Sequence, residues 1–154
     1  NTKANTFLTD LGIYSESELI TRYNVRVEQY CLHRIIEFRT LLSMIHKDIL
    51  PAAIEFKGRL AKSIDDQQDA KIDPRVDKEL LSQINDHVNN LYDKAKKLNA
   101  PLDGLGHEIE DAEKIANELL PLSEEIAIEI AYLEENVSEE LWPLPTYYDL
   151  LFVR

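Results

Sequence analysis

Cys31, Ile35, Phe38, Leu42, Ile45 and Ile49 recur at spacings of four, three, four, three and four residues. An α-helix gathers such a series onto one face, because side chains three and four apart lie one above the other. Leu19, Tyr23, Val27 and Tyr30 carry the same face upstream. Downstream, Ala52, Ala53, Ile54, Phe56 and Leu60 continue the helical pattern beyond Pro51. A proline inside a helix removes one backbone donor and crowds the preceding turn, so the pattern predicts one long helix, kinked at Pro51, over residues 15–66.

The ends of this helix are marked. Ser15-Glu16-Ser17-Glu18 has the form of a capping box, in which the Ser15 hydroxyl accepts from an amide three residues on and Glu18 reaches back. The polar run Asp65 to Asp73 closes the arm. Asp73-Pro74 resembles an N-cap followed by proline at the first helical position, which opens a second helix over 74–99. Val76, Leu80, Ile84, Val88, Leu91, Ala95 and Leu98 form its apolar face. Pro101, Gly104 and Gly106 then mark a loop. A third helix over 107–137 carries Ala112, Ile115, Leu119, Leu122, Ile126, Ile130, Leu133 and Val137, with a second kink expected at Pro121.

The termini differ in kind. Residues 1–14 are a mixed entry segment whose apolar cluster is interrupted by Gly12, and residues 138–154 are an aromatic tail with two prolines, expected to lie extended before a short helical turn. These elements define an all-α fold: a single domain over 1–154, built as an antiparallel bundle of three long helices, two of them proline-kinked, with short terminal elements and the aromatic tail. The first arm is much longer than the second helix, so it must project past it or fold back at Pro51. No internal repeat stands out.

Charge excludes several functions. The formal net charge is −12, and nothing forms the basic patch that phosphate backbones require. Nucleic acid and anionic membrane surfaces are therefore not expected partners. Cys31 is the sole cysteine, so no internal disulfide can form, in keeping with a reducing, cytoplasmic setting. No apolar run approaches the ~20 residues of a membrane span, and no signal peptide is visible. The chain does not begin with Met, so a segment of a longer polypeptide is expected.

Catalytic chemistry finds no foothold. A dimetal site in a bundle needs Glu-x-x-His on two helices, yet Tyr30, Ser43, Ile84 and Gly104 stand three before the four histidines. His33 and Glu37 form an ordinary solvated helix pair. His107, Glu110 and Asp111 read as a polar helix start, and Cys31 on the seam as an inert buried thiol. No phosphate-cradling glycine loop occurs. Glu124, Glu125, Glu129, Glu134 and Glu135 are expected on a solvated face. No catalytic, cofactor-binding or metal residue is assigned. Trp142, Tyr147, Tyr148 and Phe152 are the candidate interface, because four aromatics so close together must pack over the bundle or dock elsewhere.

That tail, Glu140-Leu141-Trp142-Pro143-Leu144-Pro145-Thr146-Tyr147-Tyr148 and onward to Phe152, resembles the ending of type III glutamine synthetases. Leu11-Gly12-Ile13, Ser15 to Leu19 and Thr21-Arg22-Tyr23 are similar to that family's entry into its C-terminal helices. Glu28-Gln29-Tyr30-Cys31, Ile36-Glu37, Ile49-Leu50-Pro51-Ala52-Ala53 and Leu119-Leu120-Pro121 follow in the same order. His33-Arg34-Ile35 departs from a more polar stretch, and residues 57–118 match in helical character and length alone. The resemblance implies a parent enzyme that joins ammonia to glutamate using ATP and Mg or Mn, in a ring-shaped homo-oligomer. It implies that the catalytic residues lie upstream, and that this chain is an accessory or assembly domain whose partners are the catalytic domain and neighbouring subunits. The competing expectation is a free-standing acidic module that binds partner helices.

Overall fold

The computed structural model describes residues 7, 9–106 and 108–145. Helix α1 (Glu16–Met44) begins at the expected capping box. The Glu18 amide donates to Ser15 Oγ at 3.3 Å and the Ser15 amide donates to Glu18 Oε2 at 2.8 Å. Two amides that no helical carbonyl could accept from are thereby satisfied.

The helix does not end at its proline. Residues Ile45–Ile49 form a π turn, and α2 (Leu50–Asp69) follows directly. The Leu50 amide reaches five residues back to the Ile45 carbonyl. Pro51 has no amide to donate, and its ring would strike the carbonyl four residues earlier. Widening one turn frees that space without breaking the rod. The same solution recurs in the third long helix. There α4 (Ile109–Lys114), a π turn at Ile115–Leu119 and α5 (Leu120–Asn136) run on continuously, with Pro121 in the first turn of α5. Ile45–Pro51 and Ile115–Pro121 share a short pattern: isoleucine, two variable residues, an acid, an aliphatic residue, leucine, proline.

Between these lies α3 (Arg75–Asn99). Its start corrects an expectation: Pro74 is itself the N-cap, with ψ of 49° and no side-chain cap bond, and Asp73 does not cap the helix. The preceding turn closes α2 instead. The Lys71 amide donates to the Gln68 carbonyl and the Ile72 amide to the Gln67 carbonyl, both at 2.9 Å. This paired closure wants glycine at its left-handed position, but Lys71 occupies it with φ of 61°. Lys71→Gly is therefore expected to stabilise the fold by about 1 kcal/mol, read as a raised urea midpoint with unchanged slope. At the other connection, a 3-10 turn (Leu102–Gly104) leads to α4. Asp111 Oδ2 accepts from the Gly106 and Glu108 amides at 3.1 and 3.3 Å, so this acid caps a helix.

Helix α3 packs against both α2 and α5, while α4 packs against α1. The Cys31 thiol lies 3.9 Å from the Glu108 carbonyl, and Arg59 meets Glu140 at 3.5 Å. The third long helix thus runs alongside the first from about Cys31 to Arg59. At 1.5 Å per residue the first long helix spans roughly 80 Å. Its opening turns, Glu16 to Arg26, project past this cover, and all of their residues but Leu19 are exposed. One core joins all three helices, with Ile45, Ile84, Leu91, Leu98, Ile115, Ile126 and Leu133 fully enclosed.

Candidate functional site: an uncovered helical seam

Of the residues considered for chemistry, His107 lies outside the described residues, and His33, Glu37 and Cys31 take up structural positions. His33 and Glu37 are both exposed, and Glu37 pairs with Arg34. Cys31 is fully buried, and burial pushes its thiol up, with Asp111 adding to the shift. A thiol so placed stays protonated and is a poor nucleophile. Among the described residues no group of three or more His, Cys, Asp or Glu side chains is arranged to hold a metal ion. No described helix is long and apolar enough to cross a membrane.

One acid departs from the solvated face expected of it. Glu129 is buried between α3 and α5. Its Oε1 accepts from Lys94 Nζ at 2.8 Å, and its Oε2 lies 2.6 Å from His87 Nδ1. An ionised carboxylate only accepts, so Nδ1 carries the proton of this bond. The His87 ring stacks on Tyr132 at 3.6 Å, and the Tyr132 hydroxyl donates to Gln83 at 2.9 Å. Burial pushes the Glu129 carboxyl up, but hydrogen bonds from Lys94 and His87 outweigh it and hold the carboxyl below its ordinary value. The bond to Glu129 likewise pushes Lys94 up against the opposing effect of burial. The arrangement is a clasp between helices, with both oxygens of Glu129 occupied by side chains of α3. Its signal in the sequence is positional. His87 and Lys94 stand seven apart on one edge of the α3 seam, and Glu129 lies three after Ile126 and four before Leu133.

Of the four candidate interface aromatics, Trp142 joins the hydrophobic core, and Leu141 and Leu144 are partly buried against that core. Tyr147, Tyr148 and Phe152 lie outside the described residues. The start of the tail therefore seals the bundle.

An unfinished surface lies at the opposite end. The seam of α1 continues upstream through Val27, Tyr23 and Ile20 at helical spacing. Val27 is partly buried against the core, where it lines a cleft with Asn24, Glu28 and Ile109. Tyr23 and Ile20 are 54% and 55% exposed. The face that is core from Cys31 onward is thus bare two turns earlier.

Residues 1–68 match the family model of the glutamine synthetase C-terminal domain. A glutamine synthetase of Bacteroides fragilis (strain YCH46) is 28% identical over 151 residues, which cover 92% of this chain and 21% of that protein. A type-3 glutamine synthetase of Dictyostelium discoideum is 26% identical over 155 residues, covering 95% of this chain and 21% of its own length. The resemblance carried by the Ile-Leu-Pro-Ala-Ala segment and the tail is borne out: the chain is similar to glutamine synthetase C-terminal sequence. It spans about a fifth of the length of these curated relatives. The stretch matching the glutamine synthetase family model contains α1, the first π turn and nearly all of α2, and so contains the bare seam.

Proposed function

We propose that this chain is a non-catalytic accessory domain of a glutamine synthetase, which supports assembly of the enzyme or shapes its catalytic part. The observation that carries this reading is the bare seam at Ile20 and Tyr23, continuous with a core-forming face and lying in the stretch similar to glutamine synthetases. A helix face of this kind gains free energy by burial, at about 25 cal/mol for each Å² of apolar surface covered. The ligation of ammonia to glutamate, with its ATP and Mg or Mn, belongs on this reading to residues outside this chain. The partners are the catalytic domain upstream and neighbouring subunits of a ring-shaped homo-oligomer in the cytoplasm. Tyr147, Tyr148 and Phe152 are proposed as a second contact.

The test uses the full-length enzyme. Ile20→Asp with Tyr23→Asp is expected to shift its mass, by native mass spectrometry, toward smaller species and to lower its activity. Both side chains are more than half exposed, so the unfolding midpoint of the 154-residue chain should hold. Tyr147→Ala, Tyr148→Ala and Phe152→Ala together test the tail while leaving Trp142 in the core. Unchanged mass and activity in both variants would sink the reading.

A further inference from the structure

Helix α1 has a second face that the described residues leave largely exposed. Arg22, Val25, Gln29, Leu32, Ile36 and Arg39 follow one another at spacings of three, four, three, four and three. They form a stripe of their own, turned away from the buried seam. Val25, Leu32 and Ile36 are 45%, 39% and 60% exposed. The stripe is apolar in its middle and closed by an arginine at each end. Arg22 is held over the Tyr14 ring at 4.7 Å, which reduces the freedom lost on docking. Arg39 meets Asp103 at 3.4 Å, and both side chains are mostly exposed, so this pair exchanges readily for another.

Charge is divided unevenly along the chain. Within α1, four arginines balance four glutamates. From Ile109 to Asn136, nine acids face the single Lys114. On the outer side of α5, Glu124, Ile128, Ala131 and Glu135 recur at spacings of four, three and four, and all are exposed, Ile128 by 67%. This is a shorter counterpart of the α1 stripe, with an apolar middle closed by a glutamate at each end. At 1.5 Å per residue its acids stand roughly 17 Å apart against roughly 26 Å for Arg22 and Arg39, a difference that two long arginine side chains span between them.

We propose that the α1 stripe of one copy docks on the outer face of α5 of a second copy, so that Arg22 and Arg39 meet Glu124 and Glu135 around an apolar centre. Like pairings are disfavoured: α1 on α1 sets arginine against arginine, and α5 on α5 adds acid to acid in a chain of net charge −12. Only the cross pairing joins opposite ends. It is heterologous, so each copy keeps one free donor face and one free acceptor face, and copies can continue into a closed ring. This names the partner for the assembly reading above and rests on it, although it uses a different face from Ile20 and Tyr23.

The experiment is sedimentation velocity of the 154-residue chain at low ionic strength across a concentration series, with circular dichroism to confirm folding. Reversible self-association is expected, weakened at least about tenfold in 0.5 M salt, where charge interactions are screened within a few ångströms. Arg22→Glu with Arg39→Glu should abolish it, and so should Glu124→Arg with Glu135→Arg. An equimolar mixture of the two variants should restore it, since each then carries the complement of the other. A monomer at every concentration would overturn the proposal, as would association indifferent to both variants or a mixture that stays monomeric. Any of these results, beside a full-length oligomer still lost on Ile20→Asp and Tyr23→Asp, would remove this pairing and leave the assembly reading standing.

Discussion

Trp142→Ala is expected to cost the fold about 3–5 kcal/mol, a large fraction of the ~5–15 kcal/mol that holds a domain of this size folded. The indole is 8% exposed and belongs to the same core as Ile84, Leu91 and Leu133. It is brought there by a turn in which the Leu141 and Trp142 amides donate to the Ser138 carbonyl at 2.9 and 3.1 Å. Truncation leaves a cavity in the core at that turn. Trp142→Phe separates packing from polarity. The indole Nε1 is buried and has no acceptor among the described residues, so phenylalanine gives up no hydrogen bond and removes an unsatisfied donor. The loss should then be about 1 kcal/mol or less. Urea denaturation of the three proteins reads both values. An alanine variant within about 1 kcal/mol of the parent would show that the tail does not seal the core.

This placement assigns one aromatic of the tail to the core. In sequence, Trp142 looks the same as Tyr147, Tyr148 and Phe152: a large side chain near prolines. Periodicity cannot assign it, because it lies outside any helix. Its position follows from the turn at Ser138. The long helices are different. The seams from Cys31 to Ile49, from Ile84 to Leu98 and from Ile115 to Val137 were legible because burial of one face imposes its own spacing. The prolines were legible as irregularities, but whether such a helix bends or takes in an extra residue depends on what packs around it. Here Ile45, Ile49, Ile115 and Leu119 are all buried on the π turns, so the wider turn keeps both seams facing the core. Of the uncovered part of α1, Tyr23 was legible in the apolar spacing Leu19, Tyr23, Val27, whereas Ile20 was not, and Leu19 and Val27 are themselves partly buried. Among the described residues this part is bare because the third long helix starts at Ile109, beside the cleft at Val27, and no earlier.

Glu129→Ala should destabilise the chain by about 3 kcal/mol at neutral pH, because removing one member of a buried ion pair strands the other. Lys94 would keep only Glu125, at 3.4 Å on the more exposed side, and His87 Nδ1 would lose its acceptor. The pH dependence has a definite sign at each end. Glu129 ionises more readily in the folded chain than its ordinary value of 4.5 implies. Its contribution is therefore complete above that value and is lost as pH falls through the lower folded one. Lys94 is shifted above its ordinary 10.5, so its part is complete below that value and is lost as pH rises through the higher folded one. The gap between parent and Glu129→Ala should narrow in acid and again in strong alkali. Replacing both members, Glu129→Leu with Lys94→Met, should recover most of the loss, since well-packed apolar groups often match a buried pair in stability. Urea midpoints for the four corners of that cycle, taken at about pH 3, 7 and 11, test the assignment. A gap unchanged between neutral pH and about pH 3 would mean that Glu129 owes its place to packing alone. The clasp would then be no part of what aligns α3 with α5, and the outer face of α5 would be positioned by its seam alone.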